Sequence, residues 1–383
     1  MGRFMSGDKL LLQHDRASGA WKRVPARGSL DANIPLVALP TYLCDITLTS
    51  GVMLQLQLLG GTRVELLPPD AQNVAGLKVD YGRLFILPAE AGTQLRLQLG
   101  GRIGTITFVD AGTEAALEVK PIHKPGSNPE QVAPTIIADI YVRKGKITWN
   151  DPGIAQQVEV QPNARLMLQG RLTRGPAQVT ELPEETVSYL DQRASKMIEQ
   201  SFRADQSASL NLTEMVDHRQ REVRWLACRC LAHVNQFTPM VGALNDEALK
   251  LDWRNYTQQL LEAVARGPES AAAVREAMEK AYDTDATELY RMLWGYTQQQ
   301  LAAGQDTALV ELLDHDTLAV RVLSFWNLKE ITGWGLFYKP EYTDTRRKQS
   351  IQRWNERLMA GEIRYKSAPT GAAATPRVAP PKP

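Results

Sequence analysis

The chain has 383 residues, 44 Lys+Arg, 43 Asp+Glu, 5 His and 3 Cys. That length implies two or three domains, and a net charge of +1 argues against a nucleic-acid binder of the usual basic kind. Three cysteines exclude a disulfide scaffold, no apolar run approaches the roughly 20 residues of a membrane helix, and MGRFMSGDKLLLQHD lacks the apolar core of a signal peptide.

Residues 1–170 are predicted to be all-β. Short apolar runs alternate with period two between Gly, Pro and Asp punctuation. They include Ile46–Leu48, Val52–Leu58, Thr62–Leu67, Leu84–Leu87, Leu95–Leu99, Thr105–Val109, Ala116–Val119, Ile136–Val142 and Lys146–Trp149. A spacing of about ten residues favours a sandwich, barrel or solenoid over βαβ units. Gly51–Gly60 (GVMLQLQLLG) and Gly92–Gly101 (GTQLRLQLGG) match at six positions, as amphipathic strands with glycine turns do. Leu99–Thr105 (LGGRIGT) has the glycines of a phosphate loop but strand signals on both sides, so it reads as a hairpin turn. Pro121–Pro134 holds four prolines and is predicted to be a loop.

The order of these elements carries a resemblance. Trp21 follows a small-residue turn, and Leu36–Leu39 comes next; Thr49-Ser50-Gly51 then precedes a strand. After Thr62–Leu66 come Leu77–Val79 and Tyr81–Leu84, then Ala111–Glu114 before Leu117–Val119, and finally Tyr141–Ile147. Over roughly residues 9–150 this order resembles the FecR-type β domain. The resemblance implies a domain that usually lies outside the cytoplasmic membrane and receives or passes a signal without catalysis.

Residues 171–186 carry two prolines and no period, and are predicted to be a linker. From Val187 the apolar period becomes 3.6, so 187–366 is predicted to be all-α. Val187, Leu190, Ala194, Met197 and Ile198 share one face. Trp253, Tyr256, Leu260, Leu261 and Val264 share another, with Asp252 placed to cap it, and Ala286, Leu289, Met292 and Leu293 a third. Residues 367–383, with five prolines and no aromatic, are predicted to be a disordered tail.

Leu212–Leu231 (LTEMVDHRQREVRWLACRCL) and Leu309–Leu328 (LVELLDHDTLAVRVLSFWNL) are identical at eight of twenty positions. The shared positions that define the repeat are Asp217, Val223 and Arg224 in one copy and Asp314, Val320 and Arg321 in the other. Asp-x(5)-Val-Arg-x-Leu resembles the second helix of HEAT-type repeats. That resemblance implies an acidic cap (Asp316 in the later copy, Asp217 in the earlier), an inward Val, and an Arg bonded across a repeat interface. The fold class is thus a multidomain α+β chain, a FecR-like all-β domain followed by HEAT-like helical repeats. The order resembles large bacterial envelope proteins.

His218, Cys228, Cys230 and His233 have the residue types of a zinc site. On a helix the two cysteines point about 160° apart and cannot share a tetrahedral ion, so no metal, cofactor or catalytic residue is expected. The Asp-His pairs at 217–218 and 314–315 are expected to mark turns before helices. Lys339–Lys366 holds eight Lys+Arg against four Asp+Glu, with Tyr338, Tyr342, Trp354 and Tyr365 interleaved. An anionic partner is one reading; a solvated helix that packs through Ile351, Trp354 and Leu358, with Arg347 on its wet face, is the favoured one. The expected function is a non-enzymatic interaction protein in envelope-linked signalling, with a protein partner and no nucleic acid. The rival is an enzyme with its site between the β and α parts. The chain as given points to the cytoplasm; an anchor upstream of Met1 would place it in the envelope.

Overall fold

The computed structural model describes residues 1–7, 9–49, 53–153, 156–179 and 187–365. The tail and the last part of the expected linker, 180–186, lie outside the described residues.

Residues 2–178 form a two-sheet β-sandwich. One sheet runs Ser29–Leu30, Gly2–Phe4, Cys44–Leu48, Leu54–Leu58, Ala75–Ala89, Thr113–Ile122, Thr135–Lys144, Ala164–Gln169, Leu172–Gln178. The other runs Ala20–Arg23, Leu11–Asp15, Pro35–Ala38, Thr62–Leu67, Ala75–Ala89, Gln94–Leu99, Arg102–Phe108, Ile147–Asn150, Val158–Val160. Both sheets are built largely from hairpins, and apolar side chains at every second position meet in one core.

The strand Ala75–Ala89 belongs to both sheets. It pairs with Thr62–Leu67 up to Tyr81 and with Thr113–Ile122 from Gly82 onward. The crossing point is Gly82, with φ +105, where a Cβ would lie 2.5 Å from Thr62 Cα; no side chain fits there. The matched segments Leu54–Leu58 and Gln94–Leu99 fall in opposite sheets. Leu99 and Arg102 face each other across a hairpin, so the glycines at 100–101 are a turn.

The segment expected to be linker begins as strand: Leu172–Gln178 pairs with Ala164–Gln169. It is an edge strand and almost wholly exposed, so it shows no buried alternation for sequence to register.

The α part comprises α1 (Tyr189–Ser201), α2 (Ala208–Thr213), α3 (Arg221–His233), α4 (Thr238–Ala243), α5 (Trp253–Ala265), α6 (Pro268–Tyr282), α7 (Ala286–Met292), α8 (Gln298–Gln300), α9 (Asp306–Glu311), α10 (Leu318–Thr332) and α11 (Asp344–Met359). Ser188 caps α1 by accepting from Asp191 N, and Pro268 opens α6 at a position that needs no amide donor. Gly333 closes α10 in left-handed conformation. Asp252 stands at the N-cap of α5 but does not cap it. Its buried carboxylate instead accepts from Arg221 Nε at 2.7 Å and Nη2 at 2.5 Å.

The two parts are packed together. Ala194, Ile198, Leu212, Val223, Leu226 and Cys230, from α1 to α3, belong to the same buried cluster as the sandwich core. Tyr42 donates to Ser195 O at 2.7 Å, and Tyr81 Oη lies 3.2 Å from His233 Nδ1. The Pro-rich segment 121–134 also reaches across. Gly126 N donates to Trp294 O, Gln300 Nε2 donates to Gly126 O, and Arg275 Nε bonds Glu130 at 2.9 Å.

Candidate functional site

The two copies of the repeat make the same turn. His218 Nδ1 accepts from Gln220 N and His315 Nδ1 accepts from Thr317 N, each at 3.1 Å. Arg224 Nη1 donates to His218 O and Arg219 O. Arg321 Nη1 donates to His315 O at 2.6 Å and Asp316 O at 2.7 Å, and its Nε to Pro340 O at 3.0 Å. Each Arg thus gathers the carbonyls of the turn that precedes its own helix. Val223 and Val320 are fully buried. Neither helix has the expected acidic cap. The N-caps are Gln220 and Thr317, neither with a side-chain capping bond; Thr317 Oγ1 donates instead to Asp285, and Asp316 contributes its carbonyl to Arg321. Asp217 is exposed, and Asp314 accepts from Arg347 Nη2 at 3.3 Å.

Helix α3 separates two cores. Cys230 faces the β-sandwich cluster and Cys228 faces the cluster of α4 to α11. Burial pushes both thiols up to about 12. Among the described residues no group of three His, Cys, Asp or Glu is placed to hold a metal ion. His233 is buried against Tyr81. Burial, followed by the nearby Arg266, Arg229 and Arg63, holds it well below the usual imidazole range.

The C-terminal basic segment divides into two functions. Trp354 is fully buried and Ile351 and Leu358 pack partly beneath it, as the helical reading required. Arg347 departs from that reading. Its side chain is 12% exposed, donates to Tyr342 O, and pairs with Asp314 and Asp344. Four other cations of the segment lie against aromatic rings, while Lys348 pairs with Asp344 and Arg364 with Asp306. Arg353 lies over Phe337, Arg357 over Trp334, and Lys339 and Arg346 over Tyr342, at 5.1–5.6 Å. Phe337 is 81% exposed. It and Leu336 both have positive φ, +61 and +43, a backbone conformation costly for bulky residues.

Beside this strip a cavity of about 310 Å³ opens between α5, α10 and residues 338–341. Trp253, Phe325, Trp326 and Tyr338 are among the residues that line it, and Lys250, Arg254, Lys329 and Lys339 stand around it. Sequence periodicity did not single out Lys250, Arg254 or Thr257, because only the fold brings 250–257 beside 322–341. A larger cavity, about 590 Å³, lies in the sandwich between Leu99–Ile103 and Ile136–Ala138. At its floor Arg102 is fully engaged by Asp151, Thr173 Oγ1 and Leu172 O, and Asp151 also accepts from Trp149 Nε1 at 2.7 Å. That cluster latches strands together and leaves no polar atom for a ligand.

No family model matches the chain, and no curated protein matches it. Two crystal structures of a proposed anti-sigma factor from Parabacteroides distasonis are similar to part of it, both at 12% identity. One covers 37% of this chain with a TM-score of 0.25, the other 34% with a TM-score of 0.22. The chain spans 58% and 59% of those two structures.

Proposed function

We propose that this chain is a non-enzymatic interaction protein that binds a protein partner through the surface of its helical half, in envelope-linked signalling. The observation that carries the reading is Phe337, held 81% exposed on left-handed backbone beneath Arg353. Folding gains little apolar burial from an aromatic displayed in this way, whereas aromatic and Arg side chains dominate binding hot spots. The FecR-type resemblance of residues 9–150 supports the signalling role, and the repeated Val-Arg helices support a HEAT-like scaffold that offers an extended surface. The rival reading, an enzyme with its site at the β/α junction, gains no support there. That junction is filled by Tyr42, Tyr81 and His233, and the two larger cavities are lined wholly by one part or the other.

The test is site-specific photocrosslinking in the native cell, with a benzophenone amino acid at Phe337 and, as control, at Leu172, which is exposed on the β edge. A discrete protein adduct is expected from Phe337. The purified partner should then bind the wild-type chain and lose binding to Phe337→Asp. No adduct at Phe337, or equal partner binding by Phe337→Asp, would end this reading.

A further inference from the structure

We infer that the cleft between α5, α10 and residues 338–341 docks an acidic peptide segment of the partner, with one bulky apolar residue seated in the cleft. The inference rests on the interaction reading above and names the chemistry of the partner. Lys250, Arg254, Lys329 and Lys339 stand around a single lining carboxylate, Glu341. Lys250 is paired, with Glu247 at 3.3 Å and Glu341 at 4.0 Å, which leaves Arg254, Lys329 and Lys339 as the cations of the rim. Several exposed cations of the helical half pair with a carboxylate on their own helix, as Arg275 with Glu279 and Lys348 with Asp344. Here Arg254 lies 5.7 Å over Trp326 and Lys339 5.4 Å over Tyr342 instead. Cations stacked on rings keep their outward charge for an anion.

The floor is apolar. Trp253, Val322 and Tyr338 are each buried, so an ion at the rim is attracted through less solvent than on an open face. Thr257 supplies the second observation. It lines the cleft, is 1% exposed, and its Oγ1 has no hydrogen-bond partner among the described residues. A buried helical threonine ordinarily returns its hydroxyl to a carbonyl one turn back; this one is left for an incoming polar group. The volume, about 310 Å³, sits at the floor of the range for small-molecule pockets. It suits one inserted side chain, while the cations spread beyond it along the rim. An extended acidic segment fits that layout better than a compact metabolite.

The probe is a fluorescein-labelled peptide, Asp-Glu-Asp-Phe-Asp-Glu-Asp, titrated with the full chain and followed by anisotropy at about 50 mM salt, where exposed charges are weakly screened. Saturable binding is expected. The double variant Lys329→Glu/Lys339→Glu should weaken it by about tenfold or more, and Glu341→Gln should tighten it. Thr257→Val should weaken binding while raising the thermal midpoint of the free protein, because it removes an unsatisfied buried hydroxyl. No binding by the wild type would overturn the inference. So would binding unchanged by the charge reversal, or equal binding of a peptide with Gly in place of Phe, or a single-stranded RNA that competes at the same residues with higher affinity. A protein adduct at Phe337 without peptide binding would sink the cleft and leave the interaction reading standing; failure of both would remove both.

Discussion

At the scale of single residues, the two copies of the repeated turn differ in how deeply they are built. Arg321 is 9% exposed and satisfies three carbonyls, one of them outside its own turn. Arg224 is half-buried and makes its better bond to one carbonyl at 3.0 Å. Charge-assisted bonds contribute about 1.5–3 kcal/mol when buried. Arg321→Ala should therefore cost the full chain about 2–3 kcal/mol in urea unfolding, and Arg224→Ala about 1 kcal/mol or less. Equal and negligible losses would make the Val-Arg pair surface decoration. The Asp-His turn was legible because its bonds are local; the Arg was expected to bond across a repeat interface, whereas Arg224 takes carbonyls of its own turn and Arg321 reaches beyond its turn at Pro340 O. The acidic cap was misplaced because the Thr317 backbone is extended and Arg321 occupies the Asp316 carbonyl. Thr257 and Phe337 were not legible, since burial without a partner and left-handed backbone are properties of the fold.

His233 gives the junction a pH dependence. Its folded pKa is depressed, chiefly by burial, while an unfolded imidazole titrates near ~6.5. Below that pH the unfolded chain binds the proton that the folded chain refuses. The contribution of His233 is therefore complete above about pH 6.5 and declines as pH falls beneath it. The urea midpoint should drop between about pH 7.5 and pH 5.5. His233→Gln should flatten part of that drop, and His123, also depressed by burial, accounts for some of the remainder. A midpoint independent of pH over that span would contradict the buried, neutral His233.

At the scale of elements, α3 shows why a helix can be hydrophobic on two faces. Its stripe toward the sandwich carries Val223, Leu226 and Cys230, and the opposite side presents Cys228 and Ala232 to the helices beyond. The angular offset that excluded a shared metal is the same offset that serves two cores. Cys44, Cys228 and Cys230 are all buried. In native buffer a disulfide reagent such as DTNB should react slowly with all of them, and in urea with all three. Rapid release of even one thiolate from the native protein would contradict this packing. The strands of the sandwich were legible wherever burial alternates, as in Thr62–Leu67. The exposed edge strand Leu172–Gln178 has no such alternation. The prolines of 121–134 correctly denied that segment a central strand, but nothing in them announces that it docks on Trp294 and Gln300.

At the scale of the whole molecule, the change of period near residue 187 marks a change of architecture, and the sequence alone makes the halves look independent. The first three helices nonetheless share a core with the sandwich, and the 121–134 segment binds α6 and the turn after α7. Separating the halves would expose that face, so full-length unfolding should be a single transition. Tryptophan fluorescence and far-ultraviolet circular dichroism should trace coincident urea curves; two well-separated midpoints would mean that the shared core contributes little. The buried residues of α5, α10 and α11 and Tyr338 belong to the second cluster and not to the one shared with the sandwich, and the proposed interaction surface lies on these elements.

The most direct test of that assignment is amide hydrogen exchange of the full chain with and without the partner recovered by crosslinking. Exchange should slow in residues 250–257 and 334–342 and stay unchanged across the sandwich. Protection confined to the β-sandwich, with those two segments exchanging as they do in the free protein, would contradict the account.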